Sequence, residues 1–144
     1  VIKETYASLL NRKILIPSQK SNYIAVDRDF WVVTVRSSIA KIAVDEAYYL
    51  ARYPDVAQAI ANGIIGSAAE HFCESGYFEH RMPYRIVVDE PWYLAQYPDI
   101  ADALAAKAIT SAQTHFEEVG FAEGRVPFPN FALRWRDDVD RPAA

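Results

Sequence analysis

Two histidines and two arginines recur in matched surroundings in this chain, and they are the first residues to weigh for chemistry. His71 is flanked by Glu70 and Glu74, and His115 is followed by Glu117 and Glu118. An imidazole beside a carboxylate can move protons or bind a metal. On a helix, however, only residues three or four apart share a face, which pairs His71 with Glu74 and His115 with Glu118. A metal site needs three or more protein ligands. The sequence offers no His-x-x-x-His, and Cys73 is its single cysteine. A structural histidine, donating to a nearby loop carbonyl, is the favoured reading; metal or acid–base chemistry is the alternative. Arg81 follows Glu79 and Arg125 follows Glu123. Either arginine could grip an anionic sugar or phosphate bidentately. The preferred reading pairs them with Asp55 and Asp99, tying one end of a unit to its middle. Tyr48, Tyr49, Trp92 and Tyr93 could form a stacking platform for sugars, but aromatics at helical spacing more often fill a core. Ser67, His71 and Asp55 form no recognisable triad, and five scattered glycines make no phosphate-binding loop. No catalytic residue, metal or cofactor is expected.

The elements that must hold these residues repeat. The stretch VDEAYYLARYPDVAQAIANGIIGSAAEHFCESGYFEHRMPY starts at Val44, and VDEPWYLAQYPDIADALAAKAITSAQTHFEEVGFAEGRVPF starts at Val88. They align without a gap at a spacing of 44, with 22 of 41 positions identical. Each parses into three short helices. Asp45 and Asp89 are N-cap candidates. Pro54 and Pro98 stop the first helix and open the second, whose apolar stripe is Val56 and Ile60, or Ile100 and Leu104. Asn62-Gly63 should end that helix in the first stretch, while Ala106-Lys107 predicts a longer or softer end in the second. The third helix opens on Ser67 with Glu70, and on Thr110 with Gln113. Gly76 and Gly120 are expected to end it in a left-handed conformation.

The flanks are different in kind. Residues 14–16 and 23–26 are short apolar segments around a polar Pro-Ser-Gln-Lys-Ser-Asn loop. Asp27-Arg28-Asp29 reads as a turn, and Phe30 to Val35 reads as a strand, being β-branched and aromatic throughout. A small hairpin or an extended arm is therefore expected, after a short helix over Thr5 to Leu10. Residues 129–144 read as a loose tail tethered by Phe131 and Trp135. The net charge of −4 argues against a nucleic-acid partner. No apolar run approaches the ~18 residues of a membrane span. A lone thiol and an N-terminus without signal-peptide character point to the cytoplasm.

The unit Tyr-Leu-x-x-Tyr-Pro-Asp-Val/Ile-Ala, followed by His-Phe-x-x-x-Gly and Glu-x-Arg-x-Pro, resembles a helical repeat of bacterial proteins. That repeat occurs beside glycosyltransferase domains and in exopolysaccharide-related and calcium-associated surface proteins. The resemblance covers about 85 residues and none of the first 43. It implies an accessory module and brings no catalytic residue with it. His80 departs from the pattern where the second stretch has Gly124.

The expected fold is mainly α: two tandem three-helix repeat units, residues 44–84 and 85–128, between a β-rich N-terminal arm, 1–43, and a C-terminal tail, 129–144. Two repeats are fewer than the usual three that stand alone, so the arm or a second protomer should cover an exposed face. A non-catalytic assembly or adaptor protein, forming a homo-oligomer or holding a protein partner, is the leading expectation. A module binding a polysaccharide or other anionic ligand is second, and an enzyme of unrecognised type is third. The candidate ligand or interface residues are Trp31, Tyr48, Trp92, Arg81, Arg125, His71 and His115.

Overall fold

The computed structural model describes residues 6–18 and 22–138, and it is mainly helical with one small antiparallel sheet. The described residues fall into two compact units that divide between Lys41 and Ile42.

The first unit begins with α1, Tyr6–Asn11, which runs one residue past the helix expected over Thr5 to Leu10; Thr5 lies outside the described residues. Strands β1, Leu15–Pro17, and β2, Ile24–Val26, pair antiparallel with Leu15 opposite Val26. A hairpin is present, but the two apolar segments build it rather than a strand following the 27–29 turn, and residues 19–21 of its loop lie outside the description. The strand expected over Phe30 to Val35 is not there. Those residues lie inside α2, Arg28–Ile39. Asp27, read as part of a turn, is the N-cap: its carboxylate accepts from the Phe30 amide at 2.9 Å. Asp29 lies in the first turn and Arg36 in the last, both favourable to the helix dipole. These end effects and a twelve-residue run outweigh the modest strand preference of Val and Thr.

The second unit carries six α-helices: α3, Glu46–Arg52; α4, Pro54–Ala61; α5, Ala68–His71; α6, Glu90–Gln96; α7, Pro98–Ala105; and α8, Ala112–His115. Asp45 caps α3 through the Tyr48 amide, and Asp89 caps α6 through the Trp92 amide. The Pro-Asp openings of α4 and α7 come as expected. The α7 helix is no longer than α4: Lys107 takes the left-handed conformation, φ 57°, that Gly63 takes at 69°. The cap of α8 is Ser111, not Thr110, its hydroxyl accepting from the Thr114 amide at 3.0 Å. Ser67 caps α5 in the same way through the Glu70 amide.

Both short helices widen into π-helical turns, Phe72–Gly76 and Phe116–Gly120. Gly76 and Gly120 sit inside these turns rather than ending a helix with positive φ. The left-handed residues come four positions later, at His80 and Gly124. What glycine provides at 76 and 120 is close approach. A Cβ on Gly76 would overlap the Tyr49 hydroxyl, and one on Gly120 would overlap that of Tyr93. Tyr49, Tyr93, Phe72, Phe116, Met82 and Val56 are almost wholly buried. The tail is docked over its described part. Phe131 and Leu133 pack on the core, and Trp135 bridges to Ile42. Residues 139–144 lie outside the description.

Candidate functional site

Helix α3 aims Tyr49 into the interior, where its hydroxyl meets His71 Nδ1 at 3.0 Å. Tyr93 on α6 meets His115 Nδ1 at 3.1 Å. The hydroxyl–imidazole bond takes the place of the loop carbonyl expected as the histidine's partner. Burial raises the Tyr49 phenol well above its ordinary range and pushes Tyr93 up to about 12. Burial, with Arg81 nearby, lowers the His71 pKa, so the neutral imidazole is favoured. A neutral ring can accept from a neutral phenol, which suits the Tyr49–His71 contact. Tyr49 and Tyr93, fully buried, belong to the core, and so offer no sugar platform. Tyr48 and Trp92 are half-buried against the same apolar cluster. The Tyr48 hydroxyl points at Met82 Sδ, 3.9 Å away, and burial pushes its pKa up to about 12.

Arg81 is fully engaged. Its Nε donates to Glu79 Oε2 at 2.6 Å, its Nη1 to Asp55 Oδ1 at 3.0 Å, and its Nη2 reaches Asp55 Oδ2 at 2.8 Å. Arg125 makes the same three contacts with Glu123 and Asp99, at 2.7, 3.0 and 2.7 Å. Each guanidinium also lies 4.9 Å from a tyrosine ring, Tyr53 or Tyr97. Those tyrosine hydroxyls in turn accept from the Met82 and Val126 amides. Hydrogen bonds from the arginines hold the Asp55 and Asp99 carboxyls below their usual range, and the arginine pKa values rise in return. The pairing with Asp55 and Asp99 is therefore the geometry found. A guanidinium with both edges on carboxylates has little left to offer an anionic ligand.

Two groups of residues escaped the sequence reading. The first centres on Glu117, where Arg52 joins residues 44–84 to residues 88–128 and Gln113 holds the start of the second stretch and the segment before it. Arg52 donates to the Glu117 carbonyl and lies 3.5 Å from its carboxylate. Gln113 accepts from the Val88 amide at 2.8 Å and donates to the Ile86 carbonyl at 2.8 Å and to Glu117 Oε1 at 2.7 Å. At the positions 44 away, Arg52 has Gln96, Gln113 has Ala69 and Glu117 has Cys73. All three residues thus fall where the two stretches differ. The second group lines a cavity of about 270 Å³ and includes Tyr84, Arg85, Phe128, Phe131 and Arg134. Their one signal in the sequence was arginine beside aromatic residues outside the recurring pattern.

Among the described residues no three His, Cys, Asp or Glu side chains gather where a metal ion could be held, and no helix is long and apolar enough to cross a membrane. Trp31 lies on α2, 47% exposed, in the unit that ends at Lys41. Comparison with protein-family models, curated proteins and solved structures finds no match.

Proposed function

We propose that this chain is a non-catalytic assembly or adaptor module, in which residues 44–84 and 88–128 are two copies of one three-helix unit and residues 10–40 form the contact surface. The observation that carries the reading is the distribution of exposed apolar side chains. Ile16, Tyr23, Ile24, Val26, Trp31 and Val33 all present large hydrophobic surface to water, Tyr23 at 80% and Val33 at 67% of full exposure. Every residue of β2 is exposed. A two-stranded hairpin in that condition is marginal by itself. Burying such a side chain from full exposure contributes roughly 1.5–3 kcal/mol, and these would gain about two-fifths of that or more each. Such a surface is best covered by a second copy of the chain or by a protein partner.

The recurring polar residues support the same reading from the other side. His71, His115, Arg81 and Arg125 are tied to Tyr49, Tyr93 and the paired carboxylates, an arrangement that builds each unit rather than a reaction centre. The resemblance to repeats found beside glycosyltransferases suggests bacterial surface polysaccharide production as the setting. Half-buried Cys73 places no demand for an oxidising compartment, in keeping with a cytoplasmic protein.

Sedimentation of the wild type and Trp31→Asp tests the proposal. The wild type should run as a dimer or larger, and Trp31→Asp as a smaller species with helical circular dichroism retained. A wild type that stays monomeric at ~100 μM, where micromolar contacts saturate, would overturn it.

A further inference from the structure

The cavity beside Tyr84 brings two arginines together with three aromatic rings. Arg52, Arg81 and Arg125 each lie within 4.0 Å of a carboxylate. Arg85 and Arg134 have no such partner among the described residues, yet both line this one cavity. Arg134 is positioned rather than loose. Its backbone amide donates to the Tyr84 hydroxyl at 2.7 Å, and its guanidinium sits 4.2 Å from the centre of the Tyr84 ring. That cation–π contact holds the cation without using its N–H donors. Phe128 and Phe131, edge to face with centroids 5.3 Å apart, supply aromatic wall. Tyr84 is buried, so the floor under Arg134 is fixed.

Two uncompensated guanidiniums call for an oxyanion, and the rings beside them call for a flat body that can lie against aromatic faces. The volume of about 270 Å³ falls just below the ~300–1,000 Å³ of drug-sized sites, which limits the ligand to about one ring. We propose that this cavity binds a small carboxylate carried on a single six-membered ring. The carboxylate lies between Arg85 and Arg134, and the ring packs against Phe128 and Phe131. The ring could be that of an aromatic acid or of an acidic sugar, since guanidinium pairing beside an aromatic face suits both. This site and the proposed assembly surface share no residues, so either proposal can fail without the other.

The test is an amide-resolved NMR titration of the full chain with benzoate, glucuronate and glucose. At least one of the two acids should shift the amides of residues 84–87 and 131–134 saturably, with dissociation constants on the order of 0.1–1 mM for so small a ligand. Glucose, which lacks the charge, should leave those amides unmoved. Arg85→Gln and Arg134→Gln should each weaken binding about tenfold, the effect of about 1.4 kcal/mol. Arg85 is exposed, so its variant keeps the fold even if Arg134→Gln loosens the tail. Binding of benzoate alone assigns an aromatic acid, and binding of glucuronate alone an acidic sugar. No shift from either acid, an equal response to glucose, or affinity unchanged in Arg85→Gln would each overturn the proposal.

Discussion

Removing the Tyr49 hydroxyl should make room for an alanine at Gly76. In the native chain that hydroxyl lies 3.0 Å from His71 Nδ1, and it occupies the space a Gly76 Cβ would need. Tyr49→Phe leaves the buried side of the imidazole without its partner, at a cost of roughly 1–3 kcal/mol. Gly76→Ala forces the Cβ into the hydroxyl, and overpacking of that kind costs about 1–3 kcal/mol. In the double variant the obstruction is gone. The new methyl then meets His71 Nδ1 at 3.3 Å and Phe72 Cδ2 at 3.4 Å, contacts that shifts of a few tenths of an ångström relieve. The pair together should therefore cost little more than Tyr49→Phe alone, a coupling of roughly 1–3 kcal/mol in favour of the double variant. Urea unfolding followed by circular dichroism measures all four corners of the cycle. Losses that add to within ~0.5 kcal/mol would refute the claim that glycine is required at 76 for close approach. The same cycle at Tyr93 and Gly120 should have the same sign, since a Gly120 Cβ would come 2.5 Å from the Tyr93 hydroxyl.

The other expectations rest on single contacts. Gln113→Ala removes bonds to the Val88 amide and the Ile86 carbonyl, so it should destabilise by about 2 kcal/mol in the same unfolding assay, whereas a loss under ~0.5 kcal/mol would show that water replaces the side chain. Arg81→Ala should cost only about 1–2 kcal/mol, because Asp55 is 61% exposed and can be hydrated once its partner is gone; a loss above ~3 kcal/mol would mean that the carboxylate is effectively buried. Acidification should act in two windows with one sign. His71, its folded pKa lowered from 6.5, contributes stability that is present above 6.5 and is lost as pH falls toward its folded value. Asp55, lowered from 3.8, contributes stability that is lost only as pH falls below 3.8. A melting temperature that rises between pH 7 and 5 in wild type, or a slope in that window unchanged in His71→Gln, would contradict the His71 assignment.

How much of this could be read in advance depended on where each signal was stored. Caps, prolines and apolar stripes act over three or four residues, so Asp45, Pro54 and Ser67 marked their helices in the sequence itself. The Arg81–Asp55 pairing was legible because both residues recur at 44-residue spacing with the same separation. The run from Phe30 to Val35 was misread because a short apolar stretch has no period to separate strand from helix. The deciding residue was Asp27, a cap that looks like a turn when read alone. At the third helix of the second stretch, Thr110 with Gln113 has capping-box spacing, but Ser111 stands beside it and only the fold selects its hydroxyl.

The harder cases share a cause. Arg52 meets Glu117 across 65 positions, Arg134 meets Tyr84 across 50, and Gln113 reaches Ile86 across 27. None of the three arrangements recurs 44 residues on, and recurrence was the strongest guide the sequence offered. Identical positions build what the two stretches have in common: the tyrosine–histidine pairs, the arginine clamps and the glycine contacts. The contact between Arg52 and Glu117 joins different positions of the two stretches, so neither residue needs a counterpart 44 residues away. The same holds for a pocket formed only where the tail closes over Tyr84. In this chain, recurrence identifies the framework; the departures from it mark where the stretches meet, at Arg52 and Glu117, where Gln113 holds the segment between them, and where we expect a ligand, at Arg85 and Arg134.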